Sequence, residues 1–290
     1  MPISRFSAGL VAALLAIIGL AMVSARTVAR WFKADKLKPW RFRSWVTPVD
    51  LAKFLPKAEA ILDIYERIPD LAEDEVILSV DEKTSIQARK RDSYRPAGAG
   101  EPAHVEHTYK RCGFVHLFAA LNVATGKVFG QVTQTKTFST FSQFITVLIK
   151  GAAACGHKTI HLILDNGSTH RPKYFETWIS EQDWLGGLSV IVHWLPVRSS
   201  WLNQVEIFFS ELQQHVLTPN DTNGPDQLGG RIIDYIDFRN EDAKPYRWTY
   251  TSADLRRKYG ASHGPEAEQS RPEVVATPSA KPVRPHRKVA

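Results

Sequence analysis

Two short aliphatic runs, each ending at an aspartate, constrain this chain more than any other feature of its sequence. Glu75-Val-Ile-Leu-Ser-Val80 stops at Asp81, and Thr159 to Leu164 stops at Asp165. Short β-branched and aliphatic runs bounded by polar residues read as buried strands. Between them, Phe114 to Val123 and Lys127 to Thr133 flank an Ala124-Thr125-Gly126 turn, which reads as a hairpin. Phe138 to Ala154 places apolar residues at Phe141, Phe144, Ile145, Leu148 and Ala152, the period of an amphipathic helix. A helix from about Lys173 to Glu181, a strand from Leu188 to His193 and a last helix from about Trp201 complete the series. Strands paired first as a meander and then alternating with helices predict an α/β fold, a mixed sheet covered by helices.

Asp81 and Asp165 are therefore expected at the carboxyl ends of strands, where open α/β sheets gather ligand-binding groups. Two carboxylates placed there suit hard cations such as Mg²⁺ or Mn²⁺. Each taken alone reads first as an ordinary strand terminator or helix cap. A third stretch adds Glu206. In Pro196 to Ser210, Ser199 or Ser200 can cap a helix, and Trp201, Val205, Phe208, Leu212 and Val216 recur at helical spacing as a buried stripe. Glu206 lies at the margin of that stripe, on a solvated face or leaning over the sheet edge toward the two aspartates. Asn166 and His170 follow Asp165 closely, and Asn203 precedes Glu206. These side chains can orient a ligand carboxylate, water or substrate, or simply cap loops. His193 reads as a structural histidine rather than a site residue.

The start of the chain is of a different kind. Ala8 to Val23 is an unbroken apolar run with Arg5 before it and Ser24-Ala25 after it, which imitates an export leader. It is shorter than a spanning helix requires. It also reads as a helix ending near Gly19, with Ser24 capping the next one in the manner of a helix-turn-helix. Arg26, Arg30, Lys33, Lys36, Lys38, Arg41 and Arg43 then interleave with Trp31, Phe32, Trp40 and Phe42. That pattern suits phosphate contacts, with a solvated basic face as the plainer reading. The formal charge of +7 agrees with a polyanionic partner without proving one. Two isolated cysteines, Cys112 and Cys155, are too few for a disulfide framework or a zinc site and are expected to be ordinary buried thiols.

The three acidic stretches together resemble one family, the DDE transposases of the IS630 and Tc1/mariner group. The resemblance rests on Val80-Asp-Glu-Lys-Thr-Ser-Ile-Gln-Ala88, Leu164-Asp-Asn-Gly-Ser-Thr-His170 and Ser200-Trp-Leu-Asn-Gln-Val-Glu-Ile-Phe-Phe-Ser210. It continues weakly through Leu217 to Asp221 and Lys244 to Trp248, and upstream through Arg26 to Trp31 and Leu37 to Trp45. It implies a ribonuclease-H-like α/β core, a mixed sheet flanked by helices, with a partial helix-turn-helix-like module before it. It further implies that Asp81, Asp165 and Glu206 hold two Mg²⁺ or Mn²⁺ ions, Asp81 bridging both, with Asp165 on one and Glu206 on the other.

The implied activity is phosphodiester cleavage and strand transfer at the terminal inverted repeats of an insertion element. The partners are double-stranded DNA, from the element ends and the target, and a second copy of the chain. No small-molecule cofactor or membrane partner is expected, and the location is the cytoplasm, with the nucleoid. The corresponding organisation is a partial DNA-binding module over 1–46, a linker helix over 47–73, the catalytic domain over 74–259 and a disordered basic tail over 260–290. Two features depart from the family. The Asp165 to Glu206 interval is slightly long, with the excess expected in the Gln182 to Gly187 loop, and little precedes Ala8. An inactive relic that keeps the core, or an exported protein with a cleaved leader, are the competing readings.

Overall fold

The computed structural model describes residues 6–39, 48 and 50–260. Trp40, Arg41, Phe42, Arg43, Trp45 and the expected tail from residue 261 lie outside them. The chain divides into two compact units, Met1–Val49 and Asp50–Ala290.

In the first unit, α1 (Ala8–Ile17) and α2 (Ala25–Ala34) form a helical pair. The apolar run does not stay helical to its end, because Gly19 takes a left-handed backbone at φ 69° and breaks it. Ser24 caps α2 as expected, its hydroxyl accepting from the Thr27 amide. Val28 is buried, whereas Arg26, Arg30, Lys33, Lys36 and Lys38 are exposed. Among the described residues, no helix is long and apolar enough to cross a membrane.

The second unit is built on a five-stranded sheet of β1 (Glu75–Lys90), β4 (Lys110–Asn122), β5 (Val128–Thr133), β6 (Thr159–Leu164) and β7 (Ser189–Trp194). A separate small ribbon pairs β2 (Tyr94–Arg95) with β3 (His104–Val105). The order in the main sheet is β5-β4-β1-β6-β7, antiparallel from β5 to β1 and parallel from β1 to β7. One face carries α4 (Phe138–Ala154) and α5 (Pro172–Ser180), which bury Phe141, Phe144, Ile145 and Phe175 against Val76, Leu78, Val80 and Phe118. The other face carries α6 (Val205–His215) and α7 (Pro225–Glu241) over Leu117, Ala119 and Leu121. Beside them on this face, α3 (Leu51–Glu66) and α8 (Ser252–Gly260) pack over Ile77 and Ile163. The result is the mixed sheet flanked by helices that a ribonuclease-H-like core requires. The segment expected as a linker helix forms α3, whose Phe54, Ala58, Ile61, Leu62 and Tyr65 are buried in this third cluster.

Four sequence expectations are corrected by the structure. First, β1 does not stop at Asp81. Its parallel pairing with β6 ends at Ser79↔Ile163, but its antiparallel ladder with β4 runs on, with irregularities around Ser85, to Lys90. The polar stretch Glu82 to Gln87 is strand because β4 supplies its hydrogen bonds, not because of its own propensity. Second, neither Ser199 nor Ser200 caps α6. A turn of 3-10 helix at Ser200–Leu202 intervenes, α6 is preceded by Gln204 without a side-chain cap, and Trp201 is left 45% exposed instead of joining the buried stripe. Third, the helical series does not end there, since α7 and α8 follow. Fourth, the thiols are not buried: Cys155 is exposed at the end of α4 and Cys112 is half-buried, both free.

Candidate active site

Strand alternation decides what each part of β1 faces. Ile77, Ser79 and Asp81 point to the α6 side, while Leu78, Val80 and Glu82 point to the α4 side. Asp81 is only 7% exposed. Its Oδ1 accepts from the Glu82 amide at 2.7 Å, and its Oδ2 accepts from Asn203 Nδ2 at 3.2 Å. Asn203 is almost completely buried and fully engaged. Its Nδ2 also donates to the Val80 carbonyl at 3.0 Å, its Oδ1 accepts from the Ser79 hydroxyl, and the Ser79 oxygen accepts from the Val205 amide at 2.9 Å. This latch joins the first turn of α6 to β1, and Tyr65 of α3 fastens it from behind by donating to the Leu202 carbonyl at 2.8 Å.

Asp165 follows directly after β6, one strand over. Its Oδ1 accepts from the Gly167 amide at 2.9 Å and from His170 Nε2 at 2.8 Å. A Cβ on Gly167 would stand 3.0 Å from that oxygen and 3.0 Å from the His170 ring, so the close turn after β6 has little room for a side chain. His170 has no solvent exposure and stacks on Phe141 of α4 with ring centres 4.4 Å apart.

Glu206 lies in the first turn of α6, half-buried. A carboxylate is favoured there by the helix dipole.

Asp81 and Glu206 both lie within reach of the Asp165 charge. Burial pushes Asp81 up to about 7, and repulsion from Asp165 and Glu206 adds to the rise, against the Glu82 amide hydrogen bond that lowers it. Burial also raises Glu206, where Lys83 pulls down and Asp165 pushes up, for a net rise. At Asp165 burial is outweighed by the His170 hydrogen bond and charge, the Gly167 amide and Lys136, and the carboxyl is held below its ordinary range. Among the described residues, no three His, Cys, Asp or Glu side chains stand close enough to enclose a metal ion as they are. Asp81, Asp165 and Glu206 thus converge electrostatically without closing on one point.

The expected supporting residues separate. Asn203 and His170 each bond one of the aspartates, whereas Asn166 gives its amide to the Leu195 carbonyl at 2.6 Å, tying the turn after β6 to the end of β7. His193 is structural, as expected: its Nε2 meets His161 Nδ1 at 2.9 Å in a stacked pair that Arg67 closes at 3.2 Å. Sequence reasoning missed Glu82 and Ser79. Both lie in β1 beside Asp81, and the period-two alternation of that strand was the signal available for them.

A family model described as DDE superfamily endonuclease matches residues 76–226, just over half of the chain, and the matched stretch includes Asp81, Asp165 and Glu206. Among solved structures, the Mos1 mariner paired end complex with Mn is similar at 13% identity and a TM-score of 0.48, over 90% of this chain and 78% of that one. The catalytic core domain of BIV integrase is similar at 13% identity and a TM-score of 0.34, over 64% of this chain and 96% of that one. No curated protein matches the sequence.

Proposed function

Because the chain belongs to the DDE superfamily endonucleases, we propose that it is the transposase of an insertion element, cutting and rejoining DNA at the element's terminal inverted repeats. Asp81, Asp165 and Glu206 are the catalytic carboxylates. The observation that carries this reading is that the three come from adjoining elements within the matched stretch: Asp81 on β1, Asp165 directly after the neighbouring β6, and Glu206 in the first turn of α6, which Asn203 and Ser79 join to β1. The donor set fits two Mg²⁺ or Mn²⁺ ions, since it consists of carboxylate oxygens and excess negative charge.

When bound, such ions activate the attacking water or 3′-hydroxyl and offset charge on the leaving oxygen. The protein's own contribution is positional. Asn203 and Ser79 hold Asp81 against α6, and His170 holds Asp165 from the other side of the sheet. Both aspartates keep one oxygen tied to a neighbouring backbone amide, which limits their swing. The exposed Arg26, Arg30, Lys33, Lys36 and Lys38 of the first unit supply contacts to DNA phosphates. Two copies of the chain act together in the active complex.

The test is cleavage of a DNA duplex bearing the element's ends, with Mg²⁺, with Mn²⁺ and with excess chelator. Metal-dependent nicking at the element boundary is the expected result. Cleavage that proceeds undiminished in chelator rejects the reading.

A further inference from the structure

Glu82 is next to Asp81, yet it faces the opposite side of the sheet, where it is 8% exposed. A carboxylate buried that far costs several kcal/mol unless its oxygens are partnered. One oxygen is: Oε1 accepts from Lys136 Nζ at 3.2 Å and from Thr169 Oγ1 at 3.3 Å. The other, Oε2, faces His170 Nδ1 at 3.6 Å, and these two buried atoms have no hydrogen-bond partner of their own. On its far side the same imidazole donates Nε2 to Asp165 Oδ1.

The ring therefore stands between two carboxylates, packed flat on Phe141. Stacking fixes the ring's plane but not which way it is flipped, because a half-turn about the Cβ–Cγ bond returns the ring to the same slot with nitrogen and carbon positions exchanged. The Asp165 bond at Nε2 favours one of the two settings, and Glu82, the group found at the Nδ1 edge, favours the same one. Histidines that support a ligand carboxylate or metal are commonly oriented in this way from behind.

We propose that Glu82 is a positioning residue: through His170 it fixes Asp165 so that Oδ1 is occupied and Oδ2 is presented to the site. The two aspartates would then be set from opposite faces of one sheet, Asp81 by the Asn203–Ser79 latch on the α6 side and Asp165 by a Lys136–Glu82–His170 line on the α4 side. The inference rests on the proposed function for its meaning, but the orientation of His170 can be read without it.

The experiment uses the full chain, wild type and Glu82→Gln, which keeps the shape of the side chain and removes its charge. In metal-free protein selectively labelled with ¹⁵N-histidine, the wild type gives a downfield Nε2-bound proton for His170, assigned by its loss in His170→Gln. Glu82→Gln abolishes or broadens that signal. With metal present, Mn²⁺ affinity falls by about tenfold or more, the turnover rate on element-end DNA falls, and the KM for DNA is unchanged. The double variant Glu82→Gln/His170→Gln binds Mn²⁺ no more weakly than His170→Gln alone, since Glu82 acts through the ring.

A His170 signal that persists in Glu82→Gln, or losses that add in the double variant, overturns the proposal. If the wild type binds no Mn²⁺ and cuts no DNA, the proposed function falls while the imidazole signal still decides this inference. Should Glu82→Gln fail to fold, Thr169→Val removes one of the two bonds that place Glu82 and is expected to weaken the same signal, whose full retention would count against the proposal.

Discussion

Asp81, within β1, and Asp165, directly after β6, stand on neighbouring strands, but their surroundings push them in opposite directions. Asp81 is buried against α6, receives neutral amide donors and faces two other carboxylates, and its pKa rises to about 7. Asp165 is partly open to solvent, is bonded by a buried imidazole with Lys136 nearby, and stays below the ordinary range. Environments that split a pair of carboxylates in this way are characteristic of sites built for chemistry rather than for packing. The consequences for stability have opposite signs. As pH rises from the ordinary 3.8 towards 7, the unfolded chain releases the Asp81 proton while the native metal-free protein keeps it, so stability falls through that window and the penalty is complete above it. Asp165 instead contributes stability above 3.8, and this is lost as pH falls through its depressed native value.

The largest expected effect is on activity, where the difference between the two aspartates should disappear. Asp81→Asn, Asp165→Asn and Glu206→Gln should each lower cleavage of element-end DNA on the order of 10³-fold or more, because residues that act as one unit fail together. Near wild-type cleavage by any one of them removes that residue from the triad. Stability should separate the pair again. In metal-free protein at pH 8, Asp81→Asn should raise the unfolding free energy on the order of 2 kcal/mol by removing a buried and repelled charge. Asp165→Asn should lower it by about 1 kcal/mol, a figure discounted for solvent at this half-open carboxylate. Urea titrations that move both variants the same way would show that the two settings are not opposed.

Asn203→Ala tests the latch on the Asp81 side. It strands the Ser79 hydroxyl and the Val80 carbonyl in a buried setting and should cost about 1–3 kcal/mol for each group left unpaired. A wild-type urea midpoint would mean that the latch holds nothing. The smallest effect concerns the first unit. Replacing Arg30 and Lys33 with alanine should weaken DNA binding and flatten its dependence on salt, the slope of log affinity against log salt losing about 0.9 for each phosphate contact removed. An unchanged slope would assign these side chains to a solvated face and send the search for DNA contacts to the second unit.

The same contrast between local and distant causes explains what the sequence made legible. The boundaries of α4 and β6 could be read directly, since an amphipathic period follows the Thr137 cap in one and an unbroken aliphatic run forms the other. Asp81 and Asp165 could be singled out because each follows such a run, whereas Glu206, at the margin of a helical stripe, joined them only through the resemblance of the three stretches to one family. The second half of β1 could not be read, because Glu82 to Ser85 is polar and the stretch owes its strand geometry to pairing with β4. For α7, an opening Pro225 and the pair Gly229-Gly230 mask the helical period, and Gly229 is accommodated by close packing against Val132. Glu82 went unnoticed for a related reason: its neighbours Lys136, Thr169 and His170 are brought to it only by the fold.

The proposed site of Asp81, Asp165 and Glu206 is one acidic cluster whose repulsion a divalent cation would relieve. Thermal unfolding with and without Mn²⁺, at pH 5.5 and at pH 8, tests it most directly. In the wild type, Mn²⁺ should raise Tm at pH 8 and much less at pH 5.5, where Asp81 keeps its proton. In Asp81→Asn the rise at pH 8 should be largely lost. An equal Mn²⁺-induced rise in the wild type and in Asp81→Asn at pH 8 would contradict the claim.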